Sequence, residues 1–150
     1  VEEVLTKRAK LRAMHLLQKM DRTKADLRRK LEQSGYPVQA VEAALDYVES
    51  FHYIDDARYA AMYIENQKSR KGMATIRMEL VQKGVSSEII QQAFEEAEEK
   101  TDSRSVIRQM LEKKRRGEGP LEEKEKQRLY GFFMRKGFSS SDILAVFREL

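Results

Sequence analysis

Three glycines, Gly35, Gly84 and Gly137, each stand at the centre of the same apolar frame, and that repetition limits the fold more than any other feature of the chain. Eight residues before them come Leu27, Ile76 and Leu129; four before come Leu31, Leu80 and Phe133; ten after come Leu45, Phe94 and Phe147. The three segments align without gaps, with the glycines 49 and 53 residues apart. Apolar residues four apart share one face of a helix, and a glycine just after them can take the left-handed conformation that closes it. Each glycine is therefore expected to end a helix. Pro37, Ser86 and Ser139 then open the next one, whose inner face reads Val41, Ala44, Leu45, then Ile90, Ala93, Phe94, then Ile143, Val146, Phe147.

A further helical stretch precedes each pair, over residues 2–19, 55–69 and 102–116. Thr23 with Asp26 three residues later resembles a capping box, and Gly119-Pro120 before Glu122 and Glu123 places proline and acids in the first turn of a helix. The sequence thus predicts an all-α protein of nine helices, arranged as three tandem three-helix repeats over 1–51, 52–100 and 101–150. The joints at 20–22, 70–72 and 117–119 are short, with no disordered linker. A unit of this size buries little alone, so the repeats are expected to stack into an elongated, curved molecule, on the order of 60 Å long.

Composition narrows the function. Charged residues are 36% of the chain and prolines number two, which suits amphipathic helices with much exposed face. With no cysteine, disulfides, thiolate catalysis and Cys-based zinc sites are excluded, and a reducing, cytoplasmic setting is the expectation. There is no long apolar run for a membrane span and no apolar leader segment, so a soluble protein is expected. His15 and His52 have no partner at a metal-ligand spacing. No phosphate-binding glycine loop or nucleophile motif occurs, and Asp55-Asp56 reads as a helix start more readily than as an acid–base pair. The expectation is a non-enzyme without cofactor or metal.

The net charge of +4 is a mild excess, and its distribution says more. Arg104, Arg108 and Arg115 fall within about 40° of one line along a helix, and Arg8, Arg12 and Lys19 repeat that spacing. The third helices concentrate acids instead, as in Glu95, Glu96, Glu98 and Glu99. Two such stripes suggest a surface for a polyanion or an acidic partner; the plainer reading is a solvated face, since Lys and Arg are good helix formers. Lys71 and Lys83 form a further basic region. Arg77 flanks the apolar stripe of its helix and is expected to pair with Asp55 or Asp56. Tyr59 and Tyr63 suit packing between repeats better than stacking on bases.

The segment Tyr53-Ile54-Asp55-Asp56-Ala57-Arg58-Tyr59-Ala60, followed by Arg70-Lys71-Gly72 and by Ile76-Arg77-Met78-Glu79-Leu80-Val81-Gln82-Lys83-Gly84-Val85, resembles the signature of the RecX family of bacterial regulatory proteins. Asp55, Asp56, Arg58, Gly72, Arg77 and Gly84 are the structural positions of that signature here. The resemblance is closest over residues 50–95. It implies a cytoplasmic modulator of the RecA recombinase that binds the RecA filament on single-stranded DNA; a monomer is the expected state. Inhibition of strand exchange, ATP hydrolysis and coprotease activity is implied with it. Weak direct binding to DNA through a basic face is the alternative the residues themselves allow.

Overall fold

A computed structural model describes residues 1–98 and 102–150; Glu99 and the side chain of Glu98 lie outside the described residues. Within them there are nine helices and no strand. They are α1 (Glu2–Lys19), α2 (Lys24–Gln33), α3 (Val38–Ser50), α4 (Asp56–Gln67), α5 (Met73–Gln82), α6 (Ser87–Glu98), α7 (Ser103–Lys114), α8 (Glu123–Arg135) and α9 (Ser140–Arg148).

The residues that define the repeats do what their spacing predicts. Leu27, Ile76, Leu129, Leu31, Leu80, Phe133, Leu45, Phe94 and Phe147 are all buried. Gly35, Gly84 and Gly137 have φ of 88°, 84° and 95°. Each sits at the same place in a Schellman turn: Gly35 N–H donates to the Glu32 carbonyl and Tyr36 N–H to that of Leu31, and the Gly84–Val85 and Gly137–Phe138 pairs repeat both bonds. Side-chain caps start α2, α9 and α7. The Thr23 hydroxyl accepts from Asp26 N–H at 3.1 Å, that of Ser139 accepts from Asp142 N–H at 3.1 Å, and Asp102 caps α7.

Two boundaries differ from expectation. Pro120 lies outside α8, whose N-cap is Glu122. The chain turns at Gly119, at φ 80°, and Arg115 holds the Gly119 carbonyl, so the helix starts only after that turn. Arg115 for its part lies just past the end of α7, with extended backbone, instead of on the helix.

The chain divides into two compact bodies, one of Val1–Met62 with Leu80–Gln91 and one of Tyr63–Glu79 with Gln92–Leu150. In the first, α1 lies against α3 and α2, burying Ala9, Ala13 and Leu16 with Leu31, Ala44, Leu45 and Val48. In the second, α7 lies against α9 and α8, burying Ile107 and Leu111 with Phe133, Ile143 and Phe147.

The same joint occurs once in each body. In the first, the start of α2 meets the turn between α5 and α6: the buried Thr23 hydroxyl donates to the Lys83 carbonyl at 2.7 Å. A side chain at Gly84 would strike Ala25. In the second, the start of α5 meets the turn between α8 and α9: Gly72 N–H donates to the Lys136 carbonyl at 2.7 Å, and a side chain at Gly72 would strike the Gly137 backbone.

Candidate macromolecule-binding faces

Three of the six signature residues, Asp56, Gly72 and Gly84, build the joints just described. Asp56 Oδ1 accepts from Lys24 N–H at 2.9 Å, so an acid at the start of α4 caps the first turn of α2, adding to the Thr23 cap. Asp55 caps its own helix, accepting from Arg58 N–H at 3.1 Å. Arg77, expected to pair with one of these aspartates, instead has its guanidinium over the ring of Phe94, 4.5 Å from the centroid. It flanks the apolar stripe, as its position on the helix requires, and finds a π-face there.

The basic stripe of α7 is already occupied. Arg104 Nε donates to Asp142 at 2.9 Å, and Arg108 makes a two-point bond to Glu149 at 2.8 and 2.7 Å. Hydrogen bonding from Arg108 outweighs the small effect of burial and holds the Glu149 carboxyl below its ordinary value. Since Arg115 lies off the helix, the predicted line of three arginines does not form as such. Two of its members form ion pairs, with Asp142 of α9 and with Glu149 just past its end, and the third closes a turn.

Lys71 is engaged as well. Its ammonium donates to both oxygens of Glu79 at 2.9 and 2.7 Å, and the Tyr63 hydroxyl donates to the same carboxylate at 2.9 Å. Lys83 is exposed, and its carbonyl serves the joint. Tyr59 is half-buried and lines a hollow with Arg22, Arg58 and Met62.

On α1 the situation is the opposite. Arg8, Arg12, His15 and Lys19 are all exposed, on a face about a quarter turn from buried Ala9 and Ala13. Among the described residues none gives these four an ion pair. Four residues on adjoining turns thus present donors to solvent. A row of this kind can take phosphates or carboxylates at a cost of little desolvation. No cluster of three or more His, Cys, Asp or Glu side chains able to hold a metal occurs among the described residues, and no described helix is long and apolar enough to cross a membrane.

Comparison with known proteins places the chain. Family models described as the first, second and third three-helix domains of RecX match residues 9–47, 55–93 and 102–147. The chain belongs to the RecX family. The regulatory protein RecX of Yersinia enterocolitica is 33% identical over 161 residues, covering 92% of this chain and 95% of that protein. That of Yersinia pseudotuberculosis is 35% identical over 113 residues, and the match spans 60% of its length. Among solved structures, a crystal structure of RecX from Lactobacillus salivarius superposes with a TM-score of 0.81 at 18% identity, over 99% of this chain and 97% of that one.

Within the RecX frame, the second-domain match contains every signature residue from Asp55 to Gly84, and these positions account for caps, joints and an arginine–ring contact. What sequence reasoning missed is the set of partners. Asp142 and Glu149 neutralise the α7 arginines, and Glu79 neutralises Lys71, across 38, 41 and 8 residues of chain. Only the Lys71–Glu79 pair had a local signal, since both residues lie within one short stretch.

Proposed function

We propose that this member of a regulatory family is a non-enzymatic regulator of RecA that binds the RecA filament on single-stranded DNA and inhibits strand exchange, ATP hydrolysis and coprotease activity. In this reading it acts in the cytoplasm, as a monomer, on DNA repair and recombination. The observation that carries the reading is the α1 face: Arg8, Arg12 and Lys19 stand exposed with no ion-pair partner among the described residues, where a nucleoprotein filament offers phosphates and carboxylates. Arg104, Arg108 and Arg115, with Lys71 and Lys83, take a secondary part, since most of them already hold internal partners. The repeat boundaries proposed from the sequence, 1–51, 52–100 and 101–150, are supported by the recurrence of one joint geometry in the two bodies.

The same free cations support a second reading, direct binding of DNA by a basic face. Inhibition of RecA-dependent ATP hydrolysis on single-stranded DNA tests the first reading, run beside binding to RecA-coated and to bare strands over a salt series. Inhibition with much tighter binding to the coated strand is the expected result. Equal affinity for both strands, with the same steep salt dependence, would give the second reading precedence. Absence of inhibition at saturating protein would refute the first.

A further inference from the structure

Val4 and Leu11 stand on the solvent side of α1, at 54% and 62% exposure. They lie about 160° around the helix from buried Ala9 and Ala13, so no core is within their reach. Single exposed apolar residues are ordinary on a protein surface. These two, however, share a line with Arg8 and His15 of the cationic row. Positions 4, 8, 11 and 15 fall within about 60° of one another and spread over about 17 Å of helix.

Side chains three and four apart are neighbours on a helix surface, so Val4 adjoins Arg8, and Leu11 adjoins both Arg8 and His15. Arg12 and Lys19 continue the cations along one flank. The two acids of α1, Glu2 and Glu3, stand in its first turn, where the helix dipole favours them. The stripe thus alternates apolar bodies with cations that no ion pair engages among the described residues.

Chemistry separates the two kinds of anion that such a stripe can meet. Phosphates of a nucleic acid gain from the cations alone; against a leucine they lose hydration and nothing replaces it. Bases need flat rings to stack on, and α1 carries no Phe, Tyr or Trp. A protein surface that sets carboxylates among apolar side chains answers both halves of the stripe: the carboxylates take two-point bonds from arginine, and the apolar groups cover Val4 and Leu11. Water driven from Leu11 also strengthens the ion pairs beside it, since they then lie in a poorer dielectric.

We infer that this stripe of α1 docks an acidic, partly apolar protein surface, with Val4 and Leu11 as apolar anchors and Arg8 and Arg12 as carboxylate clamps. The inference rests on the RecA reading, and within it assigns the α1 contact to the recombinase subunits of the filament instead of the single strand they coat. It gives two uncharged residues a part in recognition. A purely electrostatic face is indifferent to them.

The test uses the full chain with recombinase-coated and with bare single strands. Leu11→Gln and Val4→Gln introduce a good helix former without changing charge, and circular dichroism checks that each variant folds. Each should weaken binding to coated strands, and inhibition of ATP hydrolysis, about tenfold, the worth of one largely covered apolar side chain, with the salt slope unchanged. Leu11→Met should behave as the parent. Binding to bare strands should be the same for all. The chain has no cysteine, so Leu11→Cys offers a single thiol for a polarity-sensitive fluorophore, whose emission should shift to the blue on coated strands and stay unchanged on bare ones. Folded glutamine variants that bind and inhibit like an active parent overturn the inference and leave the RecA reading standing, and a label that reports no shift on coated strands does the same. Equal losses on coated and bare strands assign the stripe to nucleic acid and also overturn it. A parent that neither binds nor inhibits the filament refutes the RecA reading, and the inference falls with it.

Discussion

The backbone of Gly84 lies so close to Ala25 that a Cβ added at residue 84 would collide with the Ala25 Cβ, while the same addition at Gly35 meets no atom within 4 Å. The two glycines share a left-handed conformation and a Schellman turn, and differ only in what faces them. An alanine at either position carries the left-handed penalty of about 1–2 kcal/mol. At Gly84 it must also push α2 aside, which adds about 1–3 kcal/mol. Urea denaturation of Gly35→Ala and Gly84→Ala should therefore differ, with Gly84→Ala the less stable. Gly72→Ala isolates the steric part, because Gly72 lacks positive φ and its missing Cβ faces the Gly137 backbone. Equal midpoints for all three variants would remove the close-approach explanation.

His52 predicts the reverse sign. It occupies a left-handed position that glycine fills in the three equivalent turns, and it is exposed, so its side chain contributes little packing. His52→Gly should raise stability by about 0.5–1 kcal/mol, the relief of left-handed strain less the extra freedom glycine has when unfolded. A destabilised His52→Gly protein would show that the imidazole makes a contact worth more than that strain.

Acid should weaken the protein through identifiable carboxylates. Glu149 and Glu42 are held below their ordinary values chiefly by hydrogen bonds from Arg108 and Arg28. Burial pushes Asp26 upward but is outweighed by hydrogen bonds and charge from Arg22 and by Arg29. A carboxyl with a lowered folded value binds fewer protons folded than unfolded, so its contribution is complete above the unfolded value, about pH 4. It is lost as pH falls through the folded value. Urea midpoints should hold steady from neutrality down to about pH 5 and decline below it. Arg28→Gln and Arg108→Gln should flatten that decline, since they return Glu42 and Glu149 to ordinary behaviour. A decline of unchanged steepness in the double variant would assign acid sensitivity to other groups.

How much of this was readable beforehand follows from the range of each interaction. Leu31, Leu80 and Phe133, with their glycines, were legible because helical periodicity and the Schellman turn are settled within about ten residues of chain. The start of α8 was misplaced by the same local logic: Pro120 suits a first helical turn, but the Arg115 bond to the Gly119 carbonyl fixes a turn ahead of it. For the basic stripes, spacing showed that Arg104 and Arg108 share a face. It gave no sign that Asp142 of α9 and Glu149, just past its end, lie against it. Arg8, Arg12 and Lys19 carry an identical spacing and meet no such acids, so one pattern produced two environments. The stack of Phe51 on Tyr53 was hidden for a similar reason, because the left-handed His52 between them brings the two rings together.

That contrast between equal stripes yields the prediction that bears most on function. Reversing Arg8, Arg12 and Lys19 to glutamate changes exposed side chains without ion pairs, so folding stability should move by no more than about 0.5 kcal/mol. Reversing Arg104 and Arg108 places acids against Asp142 and Glu149, so the α7–α9 contact should loosen and the urea midpoint should drop. Function should divide the other way. The α1 variant should lose most inhibition of RecA-dependent ATP hydrolysis, and its binding to the nucleoprotein filament should lose salt dependence, by about 2 in slope if all three cations meet single-strand phosphates. If they meet carboxylates of the recombinase instead, the loss should appear on coated strands alone, with binding to bare strands unchanged. The α7 variant, assayed at a temperature where it remains folded, should keep most of its inhibition. A folded α1 variant that inhibits like the parent, beside a folded α7 variant that does not, would reverse the assignment: α9 acids would then be surrendering their arginines to the filament, and the internal ion pairs would be a resting state instead of a structural one.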